Sequence, residues 1–172
     1  MIWVLASVGI LAGLVAVVAA VGSFLPQEHV ASRTLKLPQP PDVVWQVITD
    51  RPGQPTWRTD LKSIEPFPQR NGREVWQEVS RRGDRLTLEA LEIVPPRRLV
   101  TRIADEDLPF GGRWEYEIIP AASGCQVTIT EIGQVYNPIF RFISRFVIGH
   151  TATIEQYLKA LAAKFGEPAA IQ

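Results

Sequence analysis

Two titratable side chains, His150 and Glu131, fall among apolar neighbours. His150 lies four residues from Phe146 and four from Ile154, so on a helix it shares their apolar face. An imidazole there can orient a ligand hydroxyl or move a proton near neutral pH. It can equally be a core histidine bonded to a carbonyl or a neighbouring side chain. Glu131 alternates with Val127, Ile129 and Val135 along a strand pattern, on the face the aliphatic residues mark as buried. A carboxylate on that face needs a partner, and its pKa rises if it is merely desolvated. Arg113, Arg102 and His150 are the candidate partners. The two residues are the candidate catalytic acid and base, set against a structural ion pair.

Large aromatic side chains could wall a ligand site around them. Trp57, Trp76, Phe110, Trp114, Tyr116 and Phe146, with Glu131 and His150, are the candidate ligand-binding residues. Their rings offer apolar walls, and their indole N–H and phenol O–H groups offer orienting donors; the alternative is plain core packing. Arg58, beside Trp57, can meet an anionic head group or pair with Asp60 or Asp42. No glycine-rich phosphate loop, His-Glu-x-x-His, Cys-x-x-Cys or Gly-x-Ser-x-Gly is present, and no cofactor is expected. With His29 and His150 the only histidines and Cys125 the only cysteine, no metal site is expected. His29 is expected to be solvated. Lys plus Arg and Asp plus Glu balance at 18 each, so no basic excess marks a nucleic-acid binder. No protein partner is specified.

These residues are delivered by a chain that begins unusually. Met1 to Gln27 carries no charged side chain. A helix of that length, at about 1.5 Å per residue, matches a bilayer core of about 30 Å. Residues 1–27 therefore read as a single transmembrane anchor, 28–32 as a polar connector, 33–166 as one folded domain and 167–172 as a tail. Small residues at Ala20-Val21-Gly22 leave a cleavable signal as the alternative, though no Lys or Arg precedes the apolar run. Arg33 and Lys36 after the span lean the domain towards the cytoplasm.

Within the domain, 33–37 alternates as a half-buried strand, and Pro40-Pro41-Asp42 opens a short helix. A second helical piece begins near Pro55. A ladder of strands follows at 64–67, 73–80, 85–94, 97–104, 113–120 and 125–136, with Asn71-Gly72 as the strongest turn signal. Short sequential connections make this an antiparallel meander. The loop 105–112, with Gly111 and Gly112 as hinges and Leu108 and Phe110 as apolar tips, has the character of a lid. Asn137-Pro138 then starts one long helix running to about Phe165, its stripe expected against the sheet. Its first turns are apolar all round, and Arg141 and Arg145 flank Phe140, Phe142 and Phe146. That patch fits interfacial docking, or burial against other helices or a second copy.

The order of these elements is that of an α+β helix-grip fold, and the chain resembles the SRPBCC superfamily, including its START-like, Bet v 1-like and polyketide cyclase-like members. The resemblance covers about 31–165. It is carried by Pro41-Asp42-Val43-Val44-Trp45, by Ile93-Val94-Pro95-Pro96-Arg97-Arg98-Leu99-Val100, and by Gly124-Cys125-Gln126-Val127-Thr128-Ile129-Thr130-Glu131. It is nearest to membrane-anchored bacterial members. The resemblance implies a cavity for a hydrophobic small molecule or membrane lipid between sheet and helix. Three functions stay open: a membrane-anchored binding protein, a cyclase-, dehydratase- or hydrolase-like enzyme using His150 and Glu131, and a membrane assembly module with a filled cavity.

Overall fold

The uncharged N-terminal segment forms one helix, α1 (Ile2–Phe24), in the computed structural model, which describes residues 2–172. By length and composition its Ala6–Phe24 stretch can cross a membrane. Only Leu25-Pro26-Gln27 separates α1 from β1 (Glu28–Leu37). The expected connector 28–32 is thus strand. Glu28 already faces Gln134, so backbone pairing extends to the foot of α1.

Between β1 and the meander lie α2 (Pro41–Thr49), with proline in its first turn, and a tight turn at Gln54–Thr56. The meander is β2 (Leu61–Arg70), β3 (Arg73–Ser80), β4 (Arg85–Val94), β5 (Arg98–Ile103), β6 (Phe110–Ala121) and β7 (Gly124–Val135). All seven strands form one antiparallel sheet in the order β1-β7-β6-β5-β4-β3-β2. The Asn71-Gly72 turn takes positive φ at both residues, as its sequence predicts. The expected lid is shorter than its composition suggests. Gly111 and Gly112 pair with Gln134 and Gly133 inside β6, so they are strand residues and no hinge. At Gly112 (φ +133°) a Cβ would overlap the carbonyl of Ile132, and only glycine allows the two backbones so close.

The single long helix is broken. Asn137 caps α3 (Pro138–Ile143) by accepting from the Ile139 and Phe140 amides, and a π-helical turn, Ser144–Ile148, follows. Gly149 then turns left-handed (φ +82°), and α4 (Ala152–Lys164) begins anew. Of the two C-terminal pieces, it is α4 that is buried in the core of the grip, where Val44, Trp45 and Ile48 of α2 also pack. In α4, Ile154, Leu158 and Leu161 are fully buried with Leu35, Leu99, Ile118, Val127 and Ile129. Ion pairing of Arg33 with Glu155 (3.1 Å) ties the start of α4 to β1. The segment before the break swings the other way, onto the end of α1. There Gly22 meets Pro138 so closely that a Cβ would overlap its carbonyl oxygen, and Arg141 Nη1 donates to the carbonyl of Leu25 (2.9 Å). The tail is docked too: Gln172 and Thr34 exchange backbone bonds of 2.9 and 3.0 Å, along the outer edge of β1.

Cys125 is buried in the core, and burial pushes its thiol pKa up. Native protein is therefore expected to resist maleimide, with full labelling after denaturation, as read by intact mass.

Candidate functional site at the open end of the grip

The register of β1, β7 and β6 stacks two rows across one face of the sheet: His29–Gly133–Gly112 and, next to it, Ala31–Glu131–Trp114. Small residues in the first row leave space, and the His29 ring fills it. A Cβ on Gly133 would stand in the imidazole. Glu131 Oε1 lies 3.2 Å from His29 Nε2, while its Oε2 accepts from the Trp114 indole (2.8 Å) and the Thr153 hydroxyl (3.1 Å). None of the arginines expected as partners reaches this carboxylate: Arg113 pairs with Glu115 and Arg102 with Glu89. Both His29 and Glu131 are largely enclosed, at 16 and 18% side-chain exposure. His29 is therefore not the solvated connector residue its position suggests.

His150 comes from the break between α3 and α4 and stacks on His29, ring centroids 3.9 Å apart and 21° from parallel. Its Nδ1 is 3.1 Å from the Ser144 hydroxyl. It does not continue an apolar stripe against the sheet; the break at Gly149 carries it to the sheet's end. Both imidazoles line a cavity of about 190 Å³ whose other walls include Leu25, Pro26, Arg141 and Arg145. Burial, then the charges of His29 and Arg145, push the His150 pKa down, and Glu131 opposes them. Because the folded pKa lies below the unfolded value of 6.5, the unfolded chain takes up the proton first. This contribution to stability is complete above that value and is lost as pH falls through the lower, folded pKa. Urea unfolding at stepped pH is expected to show the loss, and His150→Gln to flatten it.

The remaining expected site residues separate into two groups. Trp57, Tyr116 and Trp114 surround the Tyr157 ring at 5.5, 5.7 and 5.9 Å, so aromatic rings occupy the space between α4 and the sheet. The Arg58 guanidinium lies 5.3 Å from the centre of the same Tyr157 ring. Trp76, Phe110 and Phe146 stand apart from both clusters. Trp76 is covered by the Arg51 guanidinium 3.9 Å above its ring, Phe110 is at the exposed start of β6, and Phe146 packs on Phe142 near α1. Among the described residues, the buried Trp76 Nε1 and Tyr157 hydroxyl have no hydrogen-bond partner, and no group of three His, Cys, Asp or Glu is set to hold a metal. Neither Tyr157, whose spacing marks it only as part of the helix stripe facing the sheet, nor His29 is a candidate site residue by sequence. The signal for His29 was the glycine at its cross-strand position, which only the register reveals.

A seven-stranded antiparallel sheet holding a C-terminal helix, with polar groups gathered at its open end, defines a helix-grip protein of the SRPBCC superfamily. The family described as polyketide cyclase / dehydrase and lipid transport matches residues 28–166, and the chain belongs to it. A START superfamily protein from Mycobacterium smegmatis is similar in fold, with TM-score 0.64 at 15% identity over 79% of this chain and 96% of that one. The Zhui aromatase/cyclase from Streptomyces sp. R1128 gives 0.61 at 14% identity, over 80 and 93%. A protein from Thermus thermophilus gives 0.61 at 21%, over 80 and 95%. No curated protein matches the sequence.

Proposed function

We propose that this chain is a membrane-anchored protein that binds a hydrophobic small molecule, lipid or lipid-like, in its helix grip, on the inner face of the sheet. The observation that carries the reading is the buried Tyr157 hydroxyl, which makes no hydrogen bond among the described residues and is ringed by Trp57, Trp114 and Tyr116. A buried donor left unpaired costs about 1–3 kcal/mol, and a ligand's polar end recovers that cost while its apolar body meets the rings. The family to which the chain belongs includes lipid transport in its description. Retention of the anchor is supported by α3, which packs on the last turns of α1, and by Arg141, which caps the α1 carbonyl end. Cleavage after residue 22 would strip the Gly22–Pro138 contact and the helix turns on which α3 packs, leaving Leu25 as the only one of these partners on the domain.

Native mass spectrometry of the full chain in neutral detergent tests the reading. A stoichiometric apolar mass, weakened in retention when Tyr157 is replaced by Phe, supports it; a bare polypeptide mass from every membrane source overturns it. Anchoring is tested by alkaline carbonate extraction, in which the full chain is expected to stay with the membrane.

A second reading is acid–base catalysis. It is favoured by the two stacked imidazoles of His29 and His150, which line a cavity, and by Glu131, which bonds His29 from behind without lining that cavity itself. In that case Glu131→Gln or His150→Gln abolishes consumption of the bound molecule and leaves its retention intact.

A further inference from the structure

The cavity at the foot of α1 has a chemistry of its own. Arg141 and Arg145, one helical turn apart, line it with His29 and His150, and the carboxylate at its rim is Glu28. Among the described residues neither guanidinium has an ion-pair partner. Arg141 spends its Nη atoms on the carbonyls of Leu25 (2.9 Å) and Tyr136 (3.3 Å), while its Nε is buried without a partner. Arg145 is exposed, and among the same residues its guanidinium makes no hydrogen bond. Phe140, Phe146, Val147 and Ile148 stand 51, 58, 72 and 62% exposed on the segment that carries both arginines. Of that segment α3 packs against the last turns of α1, and the π-helical turn bearing Phe146, Val147 and Ile148 follows it directly, next to an apolar helix that is itself exposed along its length.

We infer that this cavity binds the phosphate of an anionic phospholipid from the bilayer that α1 crosses, with the acyl chains lying against Phe146, Val147 and α1. The inference rests on the membrane-anchored reading for its source of ligand, and on the cavity alone for its chemistry. Arginine forks match phosphate oxygens, and a neutral imidazole can donate one further bond. Cationic side chains at the end of a span, with aromatic and aliphatic groups just beyond, are the arrangement that a head group and its acyl boundary require.

The test uses the full chain in maltoside detergent with equal phosphatidylglycerol and phosphatidylcholine, read by native mass spectrometry. One phosphatidylglycerol per chain is expected in preference to phosphatidylcholine. Arg145→Ala should weaken its retention about five- to tenfold, Arg145→Lys by less, and Arg82→Ala, an exposed turn residue remote in sequence from the cavity, not at all. Equal retention of the two lipids, or unchanged retention in Arg145→Ala, overturns the site. Protection from thermal unfolding by inorganic phosphate without phosphatidylglycerol preference keeps an anion site but overturns the lipid as its source. Because lipid retention is read in detergent, release of the chain by alkaline carbonate would strike the anchor and leave the cavity's charge preference to stand or fall on its own result.

Discussion

Arg58→Ala is expected to destabilise the domain by about 3–5 kcal/mol, the range for breaking a buried ion pair by removing one partner. Arg58 and Glu78 are 13 and 12% exposed and joined by two hydrogen bonds of 2.8 and 2.9 Å. The same guanidinium reaches Asp60 (3.0 Å) and the Gln54 amide oxygen (2.9 Å). Burial disfavours the Arg58 charge, yet the Glu78 carboxylate outweighs it and the pKa stands above its ordinary value. Alanine removes that partner and strands Glu78 in a poorly solvated place. Replacing both, Arg58→Met with Glu78→Leu, should recover most of the loss, since two desolvated charges vanish together. Urea denaturation of the three variants reads the difference. A cost for Arg58→Ala below about 1 kcal/mol would mean the pair behaves as a solvated surface bridge.

The second large effect belongs to Tyr157. Its ring is the common contact of Trp57, Trp114 and Tyr116, and Tyr157→Ala removes it from the middle of the grip. The expected cost is about 3–5 kcal/mol, the range for truncating a buried aromatic residue to alanine. Tyr157→Phe separates shape from polarity. The hydroxyl makes no well-formed hydrogen bond among the described residues, with the Tyr116 hydroxyl close to it, so the empty protein should lose well under about 1 kcal/mol or gain slightly. Ligand retention should nevertheless fall, because the donor offered to the ligand is gone. If Tyr157→Phe destabilises the empty protein as strongly as a broken buried hydrogen bond, the hydroxyl has a partner already and the binding argument loses its support.

The strand ladder was legible wherever local chemistry sets it. The bounds of β3 and β4 follow from Asn71-Gly72, Gly83 and the diproline turn, each of which dictates a reversal through backbone geometry that neighbours cannot override. The break before α4 was not legible. A lone glycine in a helical pattern is tolerable, and Gly149 stops the helix because α1 offers the preceding segment a surface to pack on. Gly111 and Gly112 misled in the opposite sense, reading as hinges while serving close strand contact. At the site, the buried face of Glu131 could be read from its aliphatic neighbours. His29, however, lies 102 residues from Glu131 in the chain, and no local pattern announces that they touch.

The three residues between α1 and β1 also carry a mechanical consequence. Helix and sheet are joined with almost no slack, and Arg141 bolts the joint from the side. With α1 in a bilayer, the domain has little freedom to pivot; any tilt of the helix is passed to the sheet as a lever passes torque. On the proposed membrane-anchored reading, the open end of the grip faces one fixed height above the lipid, and a search for a membrane-borne ligand takes place in a plane instead of a volume. A long flexible insert after Gln27 would restore the third dimension and slow capture of a membrane-borne ligand without altering a single side chain of the domain.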